Sequence, residues 1–309
     1  MKYILCFIVN FLFITNIFSL SPPAWQRKII NYHRTEYKAG FQNWMIAQGE
    51  NGWMYCGNSN GLLEFDGVNW ALYPVPKNVV RSVKIIDGRI FVGGSTEFGF
   101  FTHDENGMLV YQSLSDKTRN WGGEVWNIVD GGEQIFFLAE HHIHIYSKAG
   151  EGIVTIDAIL KIDCSTFWGG RLYFGTPEGL FYLEKNNTIA MLPSSESLKG
   201  EKLISVLPYG GKLLVSTARS GLYFLDERTI QRINSIADDF IKDNQLFYTS
   251  ISGYKVALGS VQSGVFLFDL NNAEYRESFN LNSGLNNNTI LSSFFDKDRN
   301  LWLGLDKGI

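Results

Sequence analysis

The densest run of metal-ligating side chains in the sequence is Glu140-His141-His142-Ile143-His144. On a strand, alternation puts His142 and His144 on one face, and two imidazoles with Glu140 make a set that a transition metal could use. Only His33 and His103 complete the five histidines, and neither lies near the run. A polar turn between strands accounts for the same residues, so no metal, cofactor or catalytic residue is assigned. There is no Gly-x-Ser-x-Gly, no P-loop and no Cys-x-x-Cys. A second group has the composition of a ligand site: Asn43, Trp44, Arg81, Glu97, Trp121, Trp126 and Arg219, with His141, Glu178 and Gln262 at corresponding places. Indole faces stack on the CH faces of sugars, while Arg, Asn and Glu serve hydroxyls. These residues lie far apart in the chain. They form a site only if the architecture gathers them.

The architecture is written as a repeat. Ser-Asn-Gly-Leu-Leu-Glu-Phe-Asp (59–66) returns as Pro-Glu-Gly-Leu-Phe-Tyr-Leu (177–183), Arg-Ser-Gly-Leu-Tyr-Phe-Leu-Asp (219–226) and Gln-Ser-Gly-Val-Phe-Leu-Phe-Asp (262–269), and starts again at Asp-Lys-Gly-Ile (306–309). Before each copy runs a short apolar strand ending in a small residue. These anchors, Gly57, Gly93, Ala139, Gly175, Ser216, Gly259 and Gly304, are 36, 46, 36, 41, 43 and 45 residues apart. A period of about forty residues with several short strands per unit marks a β-propeller, one blade per repeat. Dipeptides such as Asp87-Gly88, Gly169-Gly170 and Gly210-Gly211 supply the positive φ of tight hairpins. The fold class expected is all-β, a seven-bladed propeller of four-stranded antiparallel blades. Its last blade is incomplete at Gly308-Ile309, as in a fragment of a longer protein, and is closed by residues 26–33 acting as its outer strand. In such a ring the loops leading into the inner strands, and those joining second to third strands, crowd one face around the channel. That face is where the ten residues named above would meet.

Composition sets the remaining bounds. The 309 residues are 45% hydrophobic, with 23 Phe and 31 Gly, which suits aromatic strands joined by tight turns. The formal net charge is −4 and no Lys/Arg run stands out, so nucleic acid is excluded as a partner of this segment. Lys2, the apolar stretch 3–18 and Ser19-Leu20-Ser21 before Pro22-Pro23 read as an export signal over 1–21, leaving 22–309 as the propeller. Cys56 and Cys164 fall on different blades, too far apart to bridge, and are expected to be buried thiols.

The block Asn43-Trp44, Gly52-Trp53-Met54-Tyr55, Gly61-Leu62-Leu63-Glu64-Phe65-Asp66-Gly67 and Trp70 resembles the first repeats of the two-component regulator propeller family. So do Leu301-Trp302-Leu303-Gly304 and Gly284-Leu285-Asn286-Asn287-Asn288. The resemblance covers nearly everything after residue 25 and is weakest over 124–146. It implies a periplasmic sensor module of a hybrid histidine kinase, or of a membrane-bound regulator with a LuxR-type helix-turn-helix. Family members carry a triple-tyrosine immunoglobulin-like domain, a membrane helix and an output domain further on, so contact with the membrane would come through those parts. The reading is therefore a non-enzymatic segment that takes a small-molecule or oligosaccharide ligand on the channel face, within a receptor that is a homodimer. A propeller-type polysaccharide lyase or glycosidase is the alternative, and would need a convergent acid/base pair or a metal in the channel; a protein-interaction scaffold is the third.

Overall fold

The computed structural model describes residues 28–118, 122–150, 152–272 and 274–309. The expected export signal over 1–21, and Trp121, lie outside the described residues. Asn31–Ile309 forms one compact unit. It contains six four-stranded antiparallel sheets and one two-stranded sheet, each with its strands in sequence order from inner to outer. The first sheet is Asn43–Gln48, Met54–Asn58, Gly61–Phe65 and Trp70–Tyr73. All seven anchors sit on second strands, from Met54–Asn58 to Leu301–Leu305. The third sheet, where the repeat signature is weakest, is nonetheless complete: Val125–Asp130, Gln134–Ala139, His142–Ser147 and Ile153–Asp157. The seventh holds Ile290–Phe295 and Leu301–Leu305, and packs between the inner strands of the sixth and first sheets. The expectation of seven blades thus becomes six complete blades and a partial seventh sheet.

The hairpins form where the sequence supplies positive φ. Asp87 and Gly88 have φ of 49° and 72°, and Gly210 and Gly211 have 54° and 77°, the sign a two-residue hairpin turn requires at both centres. The second strands are buried nearly along their whole length, because sheets cover both of their faces. Phe91, Phe98 and Phe137 are enclosed, and the last two meet at 4.6 Å between the second and third sheets. Each such ring contributes about 1.5–3 kcal/mol by leaving water.

The small residue ending each second strand has a direct steric cause. A Cβ on Gly93 would stand 2.5 Å from Val125 Cγ1, one on Gly175 would stand 3.1 Å from Leu203 Cβ, and one on Gly259 would stand 2.6 Å from Ile290 Cγ2. Val125, Leu203 and Ile290 each begin the inner strand of the next sheet. At Ser216 the contact becomes polar: its hydroxyl meets Ser205 Oγ at 2.7 Å and Thr249 Oγ1, one sheet on, at 2.9 Å.

The ring closes at Tyr32. Its N–H donates to Ile309 O at 2.8 Å and its carbonyl accepts from Ile309 N at 3.2 Å, a reciprocal antiparallel pair. The Tyr32 carbonyl lies over Gly308 as the Tyr73 carbonyl lies over Gly61 and the Phe279 carbonyl over Gly264. Tyr32 therefore takes the place of the last residue of an outer strand, as expected for 26–33, although no strand is assigned over 28–33 and 26–27 lie outside the described residues. Its ring stacks parallel to Trp302 at 5.9 Å and meets Trp70 and Phe65 at 5.3 and 5.1 Å. Beneath it, Asn43 Nδ2 donates to Gly308 O at 2.9 Å and Asn43 Oδ1 accepts from Asn58 Nδ2 at 2.8 Å.

Cys56 and Cys164 are buried free thiols on the first and fourth sheets. Burial raises both, Cys164 to about 12, so both behave as small apolar fillers.

Two substitutions test this packing. Gly259→Val should lower the unfolding free energy in urea by about 1–3 kcal/mol through the clash with Ile290. Asn43→Ala should cost about 1–2 kcal/mol, because it removes two buried hydrogen bonds, to the Gly308 carbonyl and from the Asn58 amide, while both groups keep other partners. Unchanged urea midpoints would contradict the close approach and the closure respectively.

Candidate functional site

The inner strands share a repeated bulge. In six sheets the pairing of inner with second strand slips by one residue, leaving Trp44, Arg81, Trp126, Ile204, Phe247 and Leu291 without a direct partner. Each is the second residue of its inner strand. A bulge bends the strand and re-aims the extra side chain. The fourth sheet pairs without a slip, from Cys164 opposite Gly175 to Trp168 opposite Arg171.

Three of the expected site residues occupy this position on consecutive sheets, and they meet. The Arg81 guanidinium lies 3.9 Å from the Trp44 ring centroid and 5.1 Å from that of Trp126. The two indoles meet edge to face at 5.7 Å and 72°. Arg81 also forms a fork with Glu124: Nε donates to Oε2 at 2.8 Å and Nη2 to Oε1 at 3.1 Å. Glu124 is held by a β-bridge to Ser95, and Thr96 N–H donates to Gly123 O at 2.8 Å. Trp44 Nε1 donates to Ser59 Oγ at 3.3 Å. The Arg81 side chain is 16% exposed and Glu124 28%. Arg81 Nη1 is enclosed and has no acceptor among the described residues. A buried guanidinium nitrogen without an acceptor is costly, and an incoming oxygen atom would remove that cost.

The other expected residues that the structure describes do not join this group. Asn43 is fully buried and its amide is committed to ring closure. Glu97 is 7% exposed and accepts from Tyr111, Ser113 and Ser115 at 2.7, 2.8 and 2.8 Å. Burial first, and then the Glu97 carboxylate, hold the Tyr111 phenol well above its usual value. Arg219 is exposed and donates to Lys242 O at 3.2 Å, away from the indoles in sequence by several blades. Glu178 pairs with Lys199 at 2.5 Å, while His141 and Gln262 are exposed. Glu124 is the residue that the sequence reading did not single out. Its signal was its place, one residue before an inner strand and two before Trp126, where the side chain can reach across to the second blade.

The histidine run straddles a turn and a strand. His142 and His144 do share a face, with rings parallel to within 10° at 5.9 Å. His144 is fully buried, stacks on Phe98 at 4.9 Å and shares a hydrogen bond of 2.9 Å with Thr155 Oγ1. Glu140 pairs instead with Lys161 at 3.1 Å, and His142 with Asp157 at 3.5 Å. Among the described residues no group of three His, Cys, Asp or Glu is placed to hold a metal. Burial, and then the neighbouring His142, lower the His144 imidazole to about 4. Its role is that of a polar core ring.

No family model and no curated protein matches the sequence. Solved structures do match its fold. The extracellular domain of BT4673 from B. thetaiotaomicron, described both as a one-component and as a hybrid two-component system, superposes with a TM-score of 0.69 at 16% identity over 90% of this chain. The extracellular domain of the hybrid two-component system BT3049 from the same organism gives 0.64 at 15% identity over 87%. This chain spans 39% of the length of each of those chains. Virginiamycin B lyase from Staphylococcus aureus gives 0.68 at 12% identity, covering 90% of this chain and 95% of that one. These likenesses show a shared propeller fold. No helix among the described residues is long and apolar enough to cross a membrane.

The buried imidazole has a measurable consequence. The unfolded chain takes up a proton on His144 below about pH 6.5 and the folded one only near pH 4, so its contribution is complete above pH 6.5 and is lost as pH falls through that window. Stability should drop by about 1.4 kcal/mol per pH unit there, beyond any loss seen in His144→Phe. Parallel urea-stability curves for the two proteins between pH 4 and 7 would contradict this.

Proposed function

We propose that this chain is the extracytoplasmic sensing propeller of a bacterial signal-transduction receptor, and that it takes a ligand on the face built by Trp44, Arg81, Trp126 and Glu124. The observation that carries the reading is the Arg81 guanidinium held between two indoles, with one enclosed nitrogen still lacking an acceptor. Glu124 already balances the Arg81 charge, so the site favours a neutral ligand rich in hydroxyls, such as an oligosaccharide, over an anion. A ring hydroxyl would accept from Nη1 while the sugar packs on the remaining indole surface. The likeness to extracellular domains of hybrid two-component systems supports the sensor class, export across the inner membrane and a periplasmic location. In the same reading residues 290–309 begin a seventh blade that Tyr32 helps to close, and the receptor signals as a homodimer. Ligand binding would shift the population between arrangements of that dimer by differential affinity.

An enzymatic reading has the lyase likeness behind it. It needs a pair of carboxylates free to exchange protons with substrate. Of the acids expected on this face, Glu97 is engaged by three hydroxyls and Glu178 by Lys199, and Glu124, beside the indoles, is engaged by Arg81. Sensing is the better account.

Calorimetric titration with a panel of neutral and uronate-containing oligosaccharides, at fixed ionic strength, tests the proposal. A neutral member should bind best, and Arg81→Ala and Trp126→Ala should each weaken it by about tenfold or more, as hot-spot residues do. Failure of every sugar to bind, or equal affinity in both variants, would overturn it.

A further inference from the structure

Beside the closure lies a cleft of about 330 Å³ that the channel-face reading leaves unused. Its walls include His33, Arg34, Thr35, Phe41, Asn286 and Lys307. Every one of these except Phe41 carries an N–H or O–H donor, and none is a carboxylate. The acids adjoining them in sequence are engaged elsewhere. Glu36 Oε1 accepts the His33 backbone N–H at 2.7 Å, and Asp306 Oδ1 accepts from Gln42 Nε2 at 2.8 Å. Arg34 lies over the Phe41 ring at 4.3 Å, which fixes its guanidinium beside the opening. Neither Arg34 nor Lys307 makes an ion pair among the described residues. Asn286 Nδ2 is enclosed and has no acceptor among the described residues. A lone surface cation is ordinary. Two of them facing one cleft, with an orphaned amide in its wall and no acid, are a different matter.

We infer that this cleft binds a small oxyanion, a phosphate or carboxylate group, between Arg34 and Lys307, with Asn286 Nδ2 and the Thr35 hydroxyl as further donors. Charge-assisted hydrogen bonds from a guanidinium and an ammonium favour such a group over water. The position gives the anion a second effect. Arg34 belongs to the short helix Arg34–Tyr37 near the chain's start, and Lys307 follows the last strand, Leu301–Leu305. An anion shared by the two ties together the segments that close the ring, so binding should raise thermal stability by mass action. The site stands apart from the Trp44–Arg81–Trp126 group and does not depend on what binds there.

The test titrates the full chain with sodium phosphate and, separately, sodium acetate at constant ionic strength, with sodium chloride as the control salt. Calorimetry should show saturable binding of at least one oxyanion, accompanied by a rise in Tm; the tighter of the two identifies the group. The double variant R34A/K307A should weaken that binding by about tenfold or more, equivalent to about 1.4 kcal/mol. Lys307→Glu, at an exposed turn, should abolish it alone, while Lys84→Ala on an inner strand should leave it intact. Absence of saturable binding with both anions, or equal affinity in R34A/K307A, would overturn the inference.

Discussion

The fold depends on how closely one sheet can approach the next near the axis. Near the end of five of the second strands there is no room for a side chain of ordinary size, because the first residue of the following inner strand already fills the space. Val125 stands there against Gly93, Leu203 against Gly175 and Ile290 against Gly259. Asn43 holds the same position against Gly304. The contact is repeated around the ring, and it explains both the spacing of the small residues and the near-complete burial of the second strands. Where Ser216 replaces Gly, hydroxyl pairs with Ser205 and Thr249 do the joining instead of van der Waals contact.

The same constraint explains why the first residue of the first inner strand is polar. Val80, Val125, Leu203 and Ile290 begin their inner strands and pack against the glycine of the preceding second strand. Asn43 faces Gly304 and Gly308, and its amide reaches the Gly308 carbonyl and the Asn58 side chain. One residue further along, the bulge turns Trp44, Arg81 and Trp126 into a single stack. Neighbouring positions in sequence thus separate into a structural role and a binding role. The geometry that seals the ring is also the geometry that presents the site.

Much of this was legible in the chain. The anchors marked every second strand because a steric demand leaves the same residue type behind each time. Glycine-rich dipeptides marked the hairpins for a comparable reason, since positive φ is costly for other residues. Trp44, Arg81 and Trp126 were found because they stand where the chain enters an inner strand, a place readable once the period is known; that each is the bulged second residue was not. Asn43 and Glu97 were not separable from them by type: an amide or carboxylate looks the same in sequence whether it serves a ligand or is sealed by Gly308, Tyr111, Ser113 and Ser115. Glu124 was missed because its meaning depends on Arg81, on the neighbouring sheet. The seven anchors gave seven sheets with the last incomplete, and six complete sheets with a partial seventh are found, since Gly308-Ile309 only begins a third strand there.

The central claim is that Tyr32 and Ile309 complete the ring by pairing as strand residues. Amide hydrogen exchange of the full chain, resolved to single residues at neutral pH, addresses it directly. The account predicts that the Tyr32 and Ile309 amides are protected to the same order as those of the inner strand Asn43–Gln48. Exchange of both at the rate of an exposed loop, with that strand still protected, would show that the ring holds without this closure and would contradict the account.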